Sequence, residues 1–361
     1  MSVNPEQILG VLSEITDPNT KKLLPVTAKN CDIVVEGTEV SITVPLGYPS
    51  HNGESELKKR IETALGALGL SLKRMDKDTK IISHAVQPGL RPLPNVRNII
   101  AVASGKGGVG KSTTAVNIAL ALQRQGARTG LLDADIYGPS VPLMLGLSGK
   151  PKSDDGKTMQ PLIGHELQAN SIGFLIEEDA PAIWRGPMVT QALVQLLNQT
   201  AWDDLDYLIV DMPPGTGDIA LTMAQKVPLT GAVIVTTPQD LALADARRGL
   251  RMFQKVNVPV LGVVENMSVH VCTNCGHAEP IFGEHGGRDM AAEFNLPWLG
   301  ALPLAMAIRT QTDSGTPSVV AEPEGKAALA YHDIARQIAA QVAALPPDNS
   351  AMTPKVVARK V

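Results

Sequence analysis

Apolar and polar positions alternate in two different rhythms along the chain, and the longer rhythm begins near residue 97. From there, short apolar runs are separated by stretches with helical spacing, such as residues 112–125. The predicted strands are residues 98–103, 129–132, 207–210, 232–236 and 260–264. Runs such as Tyr-Leu-Ile-Val are apolar on both faces, as strands of a parallel sheet covered by helices must be. The pattern predicts an α/β fold with a doubly wound, mostly parallel sheet.

The first 87 residues follow a shorter, mixed pattern. Apolar residues at helical spacing predict a helix over residues 5–16, which Asp17 and Pro18 end. Two β-branched runs then flank a glycine, which predicts a hairpin. The elements expected in this part are a hairpin centred on residues 36–38, a helix over 55–70 and a final strand over 79–83. Residues 1–87 are therefore expected to form a small α+β domain.

Two changes in composition mark the domain boundaries. Residues 87–94 contain three prolines and a glycine, a composition typical of a stiff linker, which we place at residues 88–96. The main domain is then expected to cover residues 97–345. The tail, residues 346–361, is polar and basic and has little apolar surface to bury, which predicts disorder.

Composition and charge exclude several classes of function. The formal net charge is -4 and only 3% of residues are aromatic, which argues against a general nucleic-acid surface. No apolar run approaches the length of roughly 18 residues that spans a bilayer. The first residues, with Glu6 and no basic flank, do not resemble a signal peptide, and three cysteines cannot form a disulfide framework. We therefore expect a cytoplasmic protein that binds neither nucleic acid nor membrane.

The strongest chemical signal is the sequence GKGGVGKST at residues 105–113, which fits the P-loop pattern G-x-x-x-x-G-K-[S/T]. It follows a predicted strand and opens a predicted helix, as a loop that surrounds phosphates with backbone N–H groups must. We expect Lys111 to reach the β- and γ-phosphates of ATP and the Ser112 hydroxyl to bind Mg²⁺. The predicted nucleotide contacts are Gly105, Lys106, Gly107, Gly108, Val109, Gly110, Lys111, Ser112 and Thr113.

Lys106 is a second lysine in this loop and is not needed to hold phosphates of its own chain. It is either a solvated side chain or a cation that crosses to the nucleotide of a second subunit. The sequence KGGVGKSTT resembles the deviant Walker A motif of the family that contains MinD, ParA and the nitrogenase iron protein. Those proteins are ATP-dependent dimers, so the resemblance implies the crossing role and places Lys106 among the catalytic residues with Lys111.

Two acidic motifs are expected to complete the nucleotide site. In the resembling family, the second aspartate of a D-x-D segment positions the attacking water, which implies that role for Asp135 and places Asp133 nearer the Mg²⁺ and its waters. Asp211 ends an apolar strand in the manner of a Walker B motif, and the glycine-containing loop after it is suited to sensing the γ-phosphate. The resemblance also implies that Asn266 binds the adenine ring, with residues 237–240 lining the same pocket.

The second chemical feature is Cys272-Thr-Asn-Cys275, a C-x-x-C pair whose spacing allows two thiolates to bind one metal centre. Three interpretations are open. A redox dithiol would need the pair at the start of a helix. A zinc site would need two further ligands, for which His270, His277 and His285 are near in sequence. The third is half of a four-thiolate iron–sulfur site, completed by an identical chain across a two-fold axis.

Four motifs carry a closer resemblance. DADIYGPS, IWRGPM (residues 183–188), VDMPPGTGD and ENMSVHVCTNCGH together resemble the Mrp/ApbC (NBP-type) iron–sulfur cluster carriers over residues 97–340. The resemblance implies a homodimer that binds a [4Fe–4S] cluster through both cysteine pairs and uses ATP and Mg²⁺ to transfer it to apoproteins. It also implies a cluster-assembly scaffold as a partner. The first 85 residues resemble the small domain that is often fused to these carriers.

Two other functions compete with a cluster carrier. A positioning ATPase like MinD or ParA, with a structural zinc at the C-x-x-C, would need an amphipathic membrane helix or a basic DNA-binding face, and the tail from Lys355 is too short for either. An electron donor like the nitrogenase iron protein would use the cluster as a redox centre. Transfer of the cluster to an apoprotein separates a carrier from both.

Overall fold

The computed structural model describes residues 3–50, 55–175, 186–272 and 274–349. Residues 183–185 of the IWRGPM motif and residues 350–361 of the predicted tail lie outside these ranges.

A three-stranded sheet with two helices forms the N-terminal region, where both helices and the hairpin were expected. Its elements are α1 (Pro5–Ser13), β1 (Ile33–Glu36), β2 (Glu39–Leu46), α2 (Ser55–Gly66) and β3 (Ser71–Thr79). Helix α1 begins where Asn4 and Gln7 form a capping box, and it buries Ile8 and Leu12. Strands β1 and β2 pair antiparallel, joined by a turn in which Gly37 adopts φ 66°.

The prediction of a final strand over residues 79–83 is wrong. The third strand is β3, which ends at Thr79 and pairs parallel with β2. Its sequence, SLKRMDKDT, is largely polar because β3 is an edge strand and none of its residues is fully buried. Helix α2 also ends earlier than expected, at Gly66.

An eight-stranded sheet forms the centre of the main region and confirms the doubly wound, mostly parallel fold. Its strands run in the order β13-β10-β9-β4-β8-β5-β7-β6, and the described pairs are parallel except β6 with β7. The strands are β4 (Val96–Ser104), β5 (Thr129–Asp133), β6 (Leu162–Gly164), β7 (Leu167–Ser171), β8 (Leu205–Asp211), β9 (Gly231–Thr236), β10 (Val260–Glu265) and β13 (Trp298–Ala301). A separate two-stranded sheet contains β11 (His270–Val271) and β12 (Ala278–Glu279).

Helices cover both faces of the large sheet. They are α3 (Lys111–Arg124), α4 (Val141–Met144), α5 (Gly186–Gln199), α6 (Asp218–Lys226), α7 (Asp240–Lys255), α8 (Gly286–Glu293), α9 (Met306–Asp313), α10 (Ser318–Ala321) and α11 (Lys326–Ala343). Alternate residues of β4 point into two separate apolar clusters, Ile100 into one with α3 and α11, and Ile99 into the other with α5, α6 and α7. In the parts of the chain that the structure describes, no helix is both long and apolar enough to cross a membrane.

The N-terminal region packs against the main region on the side of α11, where the two share one apolar cluster. The Lys22 ammonium donates to the carbonyl of Ala344 at the end of α11, at 2.5 Å. Residues 83–85 pair with residues 346–348, through an antiparallel bridge between His84 and Pro347. The start of the predicted disordered tail is therefore ordered, because it completes this junction. The domain bounds themselves stay predictions.

Candidate functional site

The P-loop lies at the carboxyl end of the central strand β4 and leads into α3. Gly108 and Gly110 have φ of 82° and 78°, conformations that favour glycine. At Gly105 the demand is for space, because a Cβ there would lie 2.1 Å from the backbone carbon of Asp245 in α7. No side chain caps the start of α3. The first N–H groups of this helix thus remain available to an anion.

Four of the predicted site residues meet beside this loop, because the carboxyl ends of parallel strands lie at one edge of a sheet. The Lys111 ammonium is buried and lies 2.5 Å from Asp211 Oδ1, 3.7 Å from Asp135 Oδ2 and 3.2 Å from the Ser112 hydroxyl. The Lys111 ammonium thus lies between two buried carboxylates, and it is the positive charge that phosphate oxygens would contact.

The donor set beside Lys111 fits Mg²⁺. One carboxylate oxygen of Asp211 and one of Asp135 are buried without a hydrogen-bond partner among the described residues. Such oxygens, with the Ser112 hydroxyl nearby, are the hard ligands that Mg²⁺ prefers. Across the described residues, no group of three or more His, Cys, Asp or Glu side chains could hold a metal ion by itself. Phosphate oxygens and water would therefore supply the rest of the coordination shell.

Asp133 is fully buried and holds the loop that follows it. Its carboxylate accepts hydrogen bonds from the backbone N–H groups of Asp135, Ser140 and Val141 and from the Ser171 hydroxyl, at 2.9–3.1 Å. Burial, and next the charge of Asp211, raises the pKa of Asp133 to about 7. These contacts assign Asp133 to positioning the loop that carries Asp135. Its predicted place near the Mg²⁺ and its waters stays a prediction.

Burial also raises the pKa of Asp135, an effect that the nearby Lys111 charge opposes. Its carboxylate is therefore a better proton acceptor than an exposed aspartate.

Lys106 lies half-buried at the start of the loop. Its carbonyl accepts a hydrogen bond from the Ser104 hydroxyl at 2.8 Å, which fixes the backbone. Within the described ranges, no carboxylate lies within ion-pair distance of its ammonium group. The side chain is thus free to act on a second molecule, and the crossing role stays a prediction.

Asn266 connects the P-loop to an apolar pocket. Its side-chain amide donates to the carbonyl of Val109 at 2.8 Å, and a Cβ on Gly110 would lie 2.2 Å from the same nitrogen. Beside it lies a cavity of about 180 Å³, here called the base pocket. The base pocket is lined by Gly110, Thr113, Asn266, Met267, Pro303, Leu304, Ala305, Ile308, Arg309, Thr312 and Asp313. Its place beside the P-loop suits the adenine contact predicted for Asn266, which stays a prediction.

The sequence did not reveal most of this pocket. Residues 303–313 are far from the P-loop in sequence and carry no motif; the one signal is Pro303, which follows an apolar strand. The expectation that residues 237–240 line the same pocket is wrong. Pro238 and Asp240 instead line a separate, more polar cavity with Arg247 and Asp289.

Cys272 and Cys275 lie between β11 and β12, and we call residues 270–272 and 274–279 the cysteine hairpin. Two backbone bonds close the turn, from Cys272 N–H to the His277 carbonyl and from Gly276 N–H to the Cys272 carbonyl, each 2.9 Å long. Hydrogen bonds from the backbone N–H of Cys275, then from that of Asn274, lower the pKa of the Cys272 thiol. Cys272 is partly exposed and Cys275 is exposed, so both sulfurs can reach a ligand outside the chain.

The surroundings of the pair bear on its three interpretations. No helix begins at the cysteines, since the next helix, α8, begins at Gly286, and this disfavours a redox dithiol. No third ligand joins the pair among the described residues, and the His270 ring already bonds the Leu304 carbonyl at 3.1 Å. A zinc site within one chain is therefore disfavoured as well.

Two families match the sequence. The family described as NUBPL iron-transfer P-loop NTPase matches residues 95–339. The family described as iron-sulfur cluster assembly protein matches residues 5–71.

Individual proteins are similar over most of the chain. An iron-sulfur cluster carrier protein of Pseudomonas fragi is 57% identical over 269 residues, 74% of this chain and 94% of the relative. That of Escherichia coli K12 is 47% identical over 340 residues, 93% of this chain and 91% of the relative. Among solved structures, a nucleotide-binding protein from Archaeoglobus fulgidus in complex with ADP is 36% identical, with a TM-score of 0.55, and the match covers 64% of this chain and 90% of that one.

Proposed function

Because the chain belongs to the NUBPL iron-transfer P-loop NTPase family, we propose that it is an ATP-hydrolysing carrier of iron–sulfur clusters. Two copies bind one [4Fe–4S] cluster between them and transfer it to apo iron–sulfur proteins in the cytoplasm, after loading from an assembly scaffold. One observation carries this proposal: the P-loop follows β4 and the cysteine hairpin follows β10, and these parallel strands end at the same edge of one sheet. The names of the carrier relatives support the cargo.

ATP binds with its phosphates on the P-loop backbone and on Lys111. The Lys111 ammonium gives up its ion pair with Asp211 and contacts the phosphate oxygens instead. Ser112 and Asp211 would hold Mg²⁺, which would offset the charge that develops on the phosphate oxygens. Asp135 orients a water molecule and accepts its proton as the water oxygen attacks the γ-phosphorus, and ADP and phosphate leave. Lys106 of the second subunit contacts the same phosphates, so hydrolysis requires the dimer.

The cargo is held by sulfur alone. Each cysteine hairpin offers two thiols, and two hairpins related by a two-fold axis supply the four thiolates that a [4Fe–4S] cluster requires. Because backbone N–H groups lower the pKa of the Cys272 thiol, its thiolate, the form that binds metal, is favoured over that of an ordinary cysteine. Nucleotide hydrolysis changes how the subunits meet, and the cluster then exchanges its ligands for those of an apoprotein.

Anaerobic reconstitution tests the cargo and its ligands. The purified full-length protein, supplied with iron and sulfide, is expected to bind one [4Fe–4S] cluster per two chains by metal and sulfide analysis. Cys272→Ala and Cys275→Ala are expected to abolish binding, whereas Cys31→Ala is the matched control because Cys31 is buried in the N-terminal region. Stoichiometric zinc retained by a monomer contradicts the proposal and favours a positioning ATPase with a structural zinc.

A further inference from the structure

We propose that residues 266–272 form a coupling segment through which a base in the base pocket orders the cysteine hairpin, with His270 as the positioning residue that joins the two. This inference rests on the nucleotide binding proposed above. It adds a route within one subunit, in addition to any change between subunits. The route has three steps, each made of hydrogen bonds between described residues.

The first step anchors the segment beside the phosphates. Asn266 is held on two sides, by its amide bond to Val109 of the P-loop at 2.8 Å and by its backbone N–H bond to Thr236 at 2.7 Å. Met267, next in the chain, lines the base pocket and has φ 56°. A methionine adopts this left-handed conformation only where its surroundings impose it. The chain thus leaves β10 through a fixed turn in the pocket wall.

The second step bonds residues 268–270 to residues 302–304, of which Pro303 and Leu304 line the base pocket. The backbone N–H and the hydroxyl of Ser268 both donate to the Leu302 carbonyl, at 3.0 Å each. The Leu304 N–H donates to the Val269 carbonyl at 2.9 Å, and His270 Nδ1–H donates to the Leu304 carbonyl at 3.1 Å. Both backbone polar groups of Leu304 are therefore bonded to the coupling segment, and Leu304 also lines the base pocket.

The third step is short, because only Val271 separates His270 from Cys272. Strand β11 consists of His270 and Val271 alone, and it pairs with a strand of two residues. So small a sheet has little stability of its own. The order of the hairpin then depends on the bonds at its base. A ligand that packs against Leu304 holds those bonds in place and so restrains the cysteine pair.

Hydrogen–deuterium exchange on the full-length apo protein tests the route. Saturating Mg·ADP is expected to slow exchange of peptides spanning residues 266–279 by about tenfold, a typical size for coupling between sites. Mg·pyrophosphate fills only the phosphate subsite, and it is expected to protect residues 105–113 but not the hairpin. Neither effect should depend on protein concentration, since the route lies within one chain.

Variants of His270 test whether this residue connects the base pocket to the cysteine hairpin. His270→Ala is expected to bind ADP with a Kd within about threefold of the parent, since the ring does not line the base pocket, and to lose most of the hairpin protection. His270→Asn is expected to restore it, because the asparagine amide can donate from the position of Nδ1. His277→Ala is the matched control: it lies on the other side of the hairpin, where the hydrogen bond that the described residues show for it uses its backbone carbonyl.

The outcomes separate this inference from the proposed function. If ADP protects the P-loop and leaves hairpin exchange unchanged, the coupling segment is wrong and the nucleotide site stands. If ADP protects neither, the nucleotide site fails and the inference fails with it. If His277→Ala loses protection as fully as His270→Ala, or if protection requires a dimer, His270 is not the residue that connects the base pocket to the cysteine hairpin.

Discussion

His84 is a titratable side chain enclosed at the junction of the N-terminal region and the large sheet. It is 2% exposed, and its Nδ1–H donates to Asn98 Oδ1 at 2.9 Å. The Asn98 amide in turn donates to the carbonyls of Ile82 and Asp206. The neutral ring fits this network, and burial lowers the pKa of His84, an effect that the Asn98 bond partly offsets.

We predict that His84 makes the protein less stable in mild acid. A histidine with a lowered folded-state pKa contributes stability above its unfolded pKa of about 6.5 and loses it as the pH falls below that value. Thermal unfolding from pH 8 to pH 5 is expected to show a steeper fall in Tm, by about 2 °C or more, for the parent than for His84→Asn. His332, whose pKa burial also lowers, is present in both proteins and cancels in the comparison. Parallel profiles would contradict the prediction.

Single residues were predictable where a motif fixes their chemistry. The loop pattern indicated Lys111, the end of an apolar strand indicated Asp211 and the family resemblance indicated Asp135, and the structure brings these three together. The bonds of Asp133 could not be foreseen, because its partner Ser171 lies 38 positions away and belongs to no motif. The residues between 303 and 313 that line the base pocket were not predicted for the same reason: they are far from the P-loop in sequence and carry no motif.

At the scale of elements, the P-loop glycines differ in what their backbone requires. Gly105 approaches the α7 backbone so closely that any side chain would overlap it, whereas a Cβ on Gly107 would meet nothing within 4 Å. The two positions are thus a matched pair in one loop.

We predict that Gly105→Ala destabilises the protein by about 3 kcal/mol or more, since the added methyl must displace helix backbone. Gly107→Ala is expected to change the free energy of unfolding by about 0.5 kcal/mol or less. Urea unfolding monitored by circular dichroism measures both. Equal losses would show that the contact with Asp245 does not determine the effect.

Elements were predictable in proportion to their burial. The buried strands β4, β8 and β9 are recognisable in the sequence as apolar runs, and their predicted bounds are within two residues of those observed. Strand β3 was missed because an edge strand needs no apolar pattern. The apolar pair Ile81 and Ile82 instead led to a strand being predicted too far along the chain. Strands β11 and β12 have two residues each, and the bonds that join this part of the chain to Leu302 and Leu304 come from residues 268–270, which are far from them in sequence, so local sequence could not indicate the two strands.

At the scale of the whole molecule, the proposed crossing of Lys106 to a second subunit is open to a complementation test. Lys106→Ala and Lys111→Ala are each expected to lower ATP hydrolysis about 100-fold or more. In a mixed dimer, the Lys106→Ala subunit retains its own Lys111 and receives Lys106 from its partner, which restores one site. A 1:1 mixture is then expected to recover about a quarter of the parent rate, because half of randomly formed dimers are mixed and each has one active site of two.

Phosphate release from the mixture, compared with each variant alone, measures the recovery. A mixture no faster than its components would show that Lys106 acts within its own chain. An exposed lysine outside the loop, Lys152, provides the control variant, whose turnover should match the parent.

The junction around His84 has a consequence for how visiting proteins can be arranged. It lies near the start of β4, and the P-loop lies at the other end of that strand, six residues of extended chain or roughly 20 Å away from Asn98. The cysteine hairpin follows β10 and so lies on the far end as well. A protein that binds the N-terminal region near this junction would leave the cysteine hairpin exposed. Under the proposed function, a protein that supplies the cluster and one that receives it are then expected to bind the same subunit at the same time.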